Sequence, residues 1–450
     1  MSNSSRLWDK GEGVDALMQK LTVGDDYLLD RELVEWDCVG SAAHARMLSE
    51  IGMLTSNEAD RLVAALKVIR REGQAGTFTI PFELEDVHTA LEARLSAELG
   101  DIGKKIHAGR SRNDQIMLVM RLYLRNAVLQ RLSELVELSG EYLQRCADVG
   151  EIAMPGYTHM QPAMPSSVGM WLHAFAEGLL ECLRDGLSVL ELLDSSPLGA
   201  AAGFGSSLPL RREGVAQLLG FSRVQRSPID VINSRGRIES RYLHWLSQVG
   251  AVLEKFAWDM LLYSSKEYGF VSLPGNLTTG SSIMPQKHNL DICELSRAKA
   301  ARLRASLVEL MLVTGKLPSN YHRDLQYSKE PVLRASREVR ELCLMSALVV
   351  KHLIVNEDRL RAAMHAELYA TYEADQLAQQ GVPFREAYQR TAKAVTTGSI
   401  DAAKLKARFE PIQVAVRSGI AAAQAELTAL GLQIAAETKR VHVTEEQLFG

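Results

Sequence analysis

Residues 237–263, RIESRYLHWLSQVGAVLEKFAWDMLLY, run 27 positions without a proline and carry two apolar seams. Ile238, Tyr242, Trp245, Val249, Val252 and Phe256 fall at alternating steps of four and three, the a/d spacing of a packed helix. Leu243, Leu246, Gly250, Leu253, Ala257 and Met260 repeat that spacing about 100° around the same helix. A helix with two apolar seams has to bury both, so it needs neighbours on two sides, as inside a bundle. Comparable runs at 114–139, 168–194, 291–314 and 332–355 predict further long bundle helices, of a length that suits sharing between subunits.

Around this bundle the chain divides into three parts. A mixed, mainly helical N-terminal domain is expected over 1–110, the helical bundle over 111–355, and a small helical domain over 356–450. The fold class is all-α. Strand signals are poor: Thr77-Phe78-Thr79-Ile80-Pro81-Phe82 is the best of them, and it predicts no more than a small ribbon.

Hydrophobic residues at 46% and charged residues at 24% describe a soluble globular chain. A net charge of −4 argues against a dedicated nucleic-acid binder. The five cysteines (Cys38, Cys146, Cys182, Cys293, Cys343) are odd in number and scattered, so they read as buried thiols in a reducing compartment. MSNSSRLWDKGEG at the start has no apolar core for a signal peptide, and no run is long enough to span a bilayer. Cytoplasm is the expected compartment, with neither membrane nor nucleic acid as partner.

The segments between the long runs are polar beyond the needs of turns, and loops on a rigid scaffold are where chemistry tends to sit. Lys104 to Asp114 (KKIHAGRSRND) sets four cations, a histidine, a serine and an asparagine before a helix start, a natural anion site. A solvated basic loop with Ser111 and Asp114 in a capping box explains it equally well. Pro155 to Pro162 (PGYTHMQP) holds His159 in a Pro-bounded turn, suited to proton transfer or merely to a hydrogen-bonded turn. Pro197 to Gly205 lacks the Lys-Ser/Thr of a phosphate cradle and reads as a tight-packing loop. His322-Arg323-Asp324-Leu325 imitates a kinase catalytic loop, but the expected asparagine falls on Lys329 and the other kinase motifs are missing. What remains in Tyr321 to Lys329 is a set of donors suited to an anionic or zwitterionic ligand. In Gly280 to Asn289 (GSSIMPQKHN), Lys287 and loop N–H groups can stabilise a serine alkoxide, while Asn289 and Asp291 suit a helix start.

Together these segments resemble the fumarase/aspartase superfamily of lyases, whose signature loop is G-S-S-x-M-P-x-K-x-N. Within it the chain is most similar to the argininosuccinate lyase family. His107 to Gln115 resembles that family's H-T-G-R-S-R-N-D-Q, Gly156 to His159 its G-Y-T-H, and Tyr321 to Lys329 its Y-N-R-D-L-Q-x-x-K. Gly40 to Ala45 and Gly381 to Ala387 resemble its G-S-x-A-H-A and G-V-P-F-R-x-A. The resemblance implies a mostly helical homotetramer, with active sites built from the loops of three subunits. It implies a reversible β-elimination that splits argininosuccinate into arginine and fumarate, with no cofactor and no metal. Two other readings stand beside it: a fumarate-releasing lyase with a different amine partner, and a catalytically silent, crystallin-like homologue.

By the same resemblance Ser281 is the base, and Lys287 with Asn289 holds the carboxylate on which charge grows. His159, paired with Glu294, supports proton delivery to the leaving group. Ser111, Arg112, Asn113 and Thr158 hold the succinyl part, and Tyr321, Gln326 and Lys329 the remainder, with Asp30, Asp86 and His88 on the first-domain side. Several positions depart from the family pattern. Asp26 replaces a serine, His288 a lysine, Leu290 a proline and His322 an asparagine, and an arginine usual near the start of the 237–263 helix is shifted to Arg235. These changes bear on the exact substrate more than on the chemistry.

Overall fold

Long helices dominate the computed structural model, which describes residues 15–450. The N-terminal MSNSSRLWDKGEG, read as lacking a secretory apolar run, lies outside the described residues. Three helices, α1 (Val34–Glu50), α2 (Ser56–Gln74) and α3 (Val87–Leu99), form the N-terminal cluster. Five more make the bundle: α4 (Arg112–Val149), α5 (Val168–Leu193), α6 (Arg237–Tyr263), α7 (Asp291–Thr314) and α8 (Lys329–Lys351). Short helices follow, and then α9 (Glu410–Leu448), which returns to lie along α4 and α5.

The two-seamed stretch is α6, and it packs against α5, α7 and α8. Its second seam is buried throughout; the first is buried except at Ile238 and Val252, which are half-covered. At the α5 crossing the helices touch through Gly186, where a Cβ would lie 2.5 Å from the Trp245 ring. Trp245 is enclosed and donates its Nε1–H to the Cys182 carbonyl at 2.7 Å, so its one polar atom is satisfied inside the core. Truncating such a buried tryptophan to alanine costs about 3–5 kcal/mol. Two buried tyrosines cross-link the bundle in the same way: Tyr142 shares a 2.9 Å hydrogen bond with Ser346, and Tyr242 donates to Ser336 at 2.9 Å.

The run at 291–314 is helical over its whole length, and 114–139 lies inside the longer α4. The run at 332–355 overshoots. Helix α8 stops at Lys351, and Ile354–Val355 pairs antiparallel with Val271–Ser272. The ribbon expected at 77–82 is absent. That stretch buries Phe78 and Ile80 but carries no regular structure until Phe82 opens a short 3-10 turn, and among the described residues no strand lies beside it. The ribbon forms instead from β1 (Ala153–Thr158) and β2 (Gln161–Ser167). Pro155, Pro162 and Pro165 hide it from a propensity reading. In a two-stranded ribbon both strands are edges, where a missing N–H need cost no ladder bond. All five cysteines are buried and free. Among the described residues no helix is long and apolar enough to cross a membrane.

Candidate active site

A cavity of about 360 Å³ opens where the N-terminal cluster meets the starts of α4, α6 and α8. The start of α4 is fixed by a capping box: the Ser111 hydroxyl accepts from the helix N-terminus, and Asp114 accepts from the Ser111 N–H at 3.0 Å. The other oxygen of Asp114 accepts from the N–H groups of Gly199 and Ala201, which accounts for the tight loop at 197–205. So anchored, the first turn of α4 turns Arg112, Asn113 and Ile116 toward the cavity.

Opposite lie the acids. Asp86 caps α3 through Thr89 N–H at 2.8 Å, and its second oxygen receives Arg112 at 2.6 Å. Burial works against the Asp86 charge, but His88 and Arg112 outweigh it and hold its pKa below the ordinary value. The Nδ1 of His88 lies 2.7 Å from Asp37, which also accepts from Gln115 at 2.8 Å. Burial opposes both charges of the His88–Asp37 pair; mutual attraction wins, raising His88 and lowering Asp37.

Lys329, at the first turn of α8, is 3% exposed and points into the acid wall. Its ammonium lies 2.5 Å from Asp30 and 2.6 Å from Asp26, and the second oxygen of Asp30 accepts from Val87 N–H. Burial disfavours the Lys329 charge, yet Asp30 and then Asp26 lift its pKa above that of an ordinary lysine. Tyr321, Gln326 and Arg235 complete the lining; Gln326 donates to the carbonyls of Thr22 and Val23, and Arg235 to Ser328 Oγ at 3.0 Å.

The remaining candidates stand elsewhere. Thr158 and His159 form the exposed tip of the β1–β2 hairpin, a two-residue turn in which Thr158 pairs with Gln161. His159 and Met160 both adopt left-handed backbone, with φ of 51° and 63°. Such turns favour asparagine and glycine, so a histidine there is held under local strain of the kind that gathers at functional positions.

Ser281 lies on the loop before α7. Its hydroxyl accepts from Met284 N–H at 3.2 Å, a local turn bond, and residues 282–288 are exposed. A second cavity of about 660 Å³ is lined by Lys287, His288, Asn289 and Glu294 with residues 261–278. Asn289 does not start α7. It forms a bridge with Thr279 through two backbone hydrogen bonds, and Leu290 occupies the cap position without a side-chain bond. The chain therefore gathers Asp30, Asp86, His88, Arg112, Asn113, Arg235, Tyr321, Gln326 and Lys329 around one cavity, with Ser111 capping the helix beside it. Lys287, Asn289 and Glu294 line another, and Thr158 with His159 stand on a hairpin tip. No hydrogen bond or ion pair joins His159 to Glu294, or Ser281 to Lys287, among the described residues.

Two residues of this wiring escape a reading of motifs. Arg323 lines the cavity from inside the Tyr321–Lys329 segment. Asp37 is the buried partner of His88, and the only trace it leaves in sequence is an acid four residues before Ser41 in a helix whose buried residues are mostly apolar. Among the described residues no three His, Cys, Asp or Glu side chains converge as a metal-binding set.

Residues 10–304 match the sequence family described as Lyase. Curated relatives extend the match over most of the chain. An argininosuccinate lyase of Sorangium cellulosum is 43% identical over 411 residues, 90% of this chain and 94% of that protein. One of Xanthomonas oryzae pv. oryzae is 44% identical over 90% and 95% of the two chains. Among solved structures, EDDS lyase in complex with formate superposes with a TM-score of 0.79 at 24% identity, covering 97% of this chain and 95% of that one. The class II fumarase of Schistosoma mansoni reaches 0.67 at 17% identity, over 86% and 92%. At those identities the structural likeness speaks to the fold alone, a bundle of long helices that this chain shares with the EDDS lyase and the class II fumarase.

Proposed function

From the premise that this chain belongs to the argininosuccinate lyase family, we propose that it splits argininosuccinate reversibly into L-arginine and fumarate, as a step of arginine biosynthesis. The likeness to proteins of that name over nine-tenths of its length carries the reading.

The chemistry asks for a proton to leave the carbon beside a carboxylate, which builds a second negative charge there. Ser281 takes the proton, and the C–H electrons form the C=C bond of fumarate as the C–N bond breaks. Lys287 and Asn289 stabilise the carboxylate on which charge grows. His159, supported by Glu294, returns a proton to the departing guanidine nitrogen. Ser111, Arg112, Asn113 and Thr158 hold the succinyl carboxylates; Tyr321, Gln326 and Lys329, with Asp30, Asp86 and His88, hold the arginine part.

Within one chain these groups lie in three places, so the reading requires a homotetramer whose subunits each lend loops to a shared site. The cytoplasm, where such an enzyme meets its substrate, is the proposed compartment. Mixing purified protein with argininosuccinate and following fumarate by ultraviolet absorbance tests the reaction. Fumarate from another succinyl-amine but none from argininosuccinate would overturn the substrate. Co-assembly tests the shared site: Ser281→Ala and Arg112→Gln, each nearly inactive alone, should regain a measurable part of wild-type turnover when mixed. No recovery would place both residues in one subunit's site.

A further inference from the structure

The loop that carries Tyr321 to the 360 Å³ cavity is held at both ends. It leaves α7 at Thr314, whose side chain fills the space a Cβ on Gly236 would need: that atom would lie 2.5 Å from Thr314 Cγ2, and Gly236 has a φ of 87°. It ends at Asn320, immediately before Tyr321, in left-handed backbone with a φ of 74°. The short helix Pro228–Asn233 meets it there. Asn233 Oδ1 accepts from the Asn320 N–H at 2.7 Å, and Asn233 Nδ2 donates to Ser319 Oγ at 3.2 Å. One side-chain amide thus grips two successive residues of the loop.

The Asn320 side chain is wedged from another side. A Cβ on Gly203 would lie 2.3 Å from its Oδ1 and 3.1 Å from Ile232, so only glycine, here at a φ of 98°, leaves room for it. Among the described residues that Oδ1 is buried without a donor. A buried acceptor left unpaired is costly, and such a cost persists only where the surroundings over-determine the position. The loop that holds Gly203 is itself tied to the first turn of α4, through Asp114 and the N–H groups of Gly199 and Ala201. Beyond the wedge, Tyr321 packs on Met117, Ala200, Val231 and Ile232 and lines the cavity. Asn233 is exposed and stands outside that lining.

We propose that Asn233 is a positioning residue for the reaction: through the Asn320 N–H it fixes Tyr321 in the cavity wall without touching substrate itself. The proposal rests on Tyr321 holding the arginine part of argininosuccinate. A tyrosine already fixed before substrate arrives has less freedom to lose on binding. Substrate and transition state both feel that grip, so the effect falls on KM more than on kcat.

Steady-state cleavage of argininosuccinate by the assembled protein tests it. Asn233→Ala should raise KM about three- to tenfold, the worth of one hydrogen bond, with kcat within about twofold of wild type. Asn233→Asp, which keeps an acceptor for the Asn320 N–H, should restore the wild-type KM. In a Tyr321→Phe background Asn233→Ala should raise KM no further; fold-changes that multiply mean the two residues act apart and overturn the proposal. A lowered urea midpoint with KM unmoved makes Asn233 a structural support and overturns it as well. Fluorine NMR of protein carrying 3-fluorotyrosine reads the same placement without activity. The resonance that Tyr321→Phe removes should be single in the wild type and in Asn233→Asp, and broadened or split in Asn233→Ala. An unchanged resonance in Asn233→Ala overturns the positioning. Wild-type protein that releases no fumarate from argininosuccinate removes the proposed function, and the fluorine spectra still decide the positioning. An active enzyme whose KM ignores Asn233→Ala removes the positioning alone.

Discussion

The Lys329 cavity and the Ser281 loop are built on opposite plans. Around Lys329 the charges interlock: Asp30 with Lys329, Asp86 with Arg112 and His88 with Asp37, all at 2.7 Å or less and largely out of water. Around Ser281 the side chains are exposed from 282 to 288, and among the described residues the serine hydroxyl bonds only to turn N–H groups. One region is finished by the chain alone; the other is left open. A site that must admit substrate and then exclude water gains from that division, since a rigid half sets position and a loop closes over it. Under the proposed mechanism the rigid half binds and the open half reacts.

The largest effect should come from the open half. Ser281→Ala removes the proposed base, and general-base catalysis is worth about 10²- to 10⁴-fold. Turnover should fall by that much while argininosuccinate still binds, because the cavity that positions it is untouched. A variant with near-normal fumarate release would transfer the base role to another group.

A pair of lysine substitutions breaks the comparison directly. Lys329→Met leaves Asp30 buried without its cation, and orphaning one partner of a buried pair costs about 3–5 kcal/mol. Lys287→Met, on the exposed loop, should stay within about 0.5 kcal/mol of wild type in urea unfolding, though it loses turnover. Equal stability losses would mean the two regions are not built differently at all.

The same contrast decided what the sequence could reveal. Bundle helices announce themselves through apolar spacing, so α6 and α7 were legible almost to the residue. The candidate loops stood out because serine, lysine and histidine gather there between Gly/Pro breaks, beyond what a turn requires. The rigid half was harder. Asp37 acts by accepting from His88 and Gln115 across long separations, a relation set by how α1, α3 and α4 cross rather than by any local pattern. The β1–β2 ribbon was hidden by its prolines, and Asn289 looked like a helix cap because the bridge to Thr279 that occupies it comes from ten residues upstream.

The His88–Asp37 pair gives the rigid half a pH signature. His88 is raised above its ordinary 6.5, so its contribution is full below that value and is lost as pH rises through the folded pKa. Asp37 is lowered below 3.8, so its contribution is present above that value and is lost as pH falls through its own folded pKa. The stability gap between wild type and His88→Gln should therefore be widest near about pH 5 and narrow on the alkaline side. A gap independent of pH between 5 and 9 would mean that the imidazole is held neutral.

The smallest expected effect tests whether the exposed β1–β2 hairpin tip, which carries His159, stores strain. Met160 is 59% exposed and has a φ of 63°, so its side chain gains little from packing and meets the steric penalty of left-handed backbone. Glycine removes that penalty but frees the unfolded chain, and the two terms leave a net stabilisation of about 0.5–1 kcal/mol for Met160→Gly. The urea midpoint should rise accordingly. Turnover should fall modestly, because a glycine beside His159 no longer fixes the imidazole's approach. A lowered midpoint would show that the Met160 side chain earns its place through contacts, and the turn would then be an ordinary support for His159 rather than a strained one.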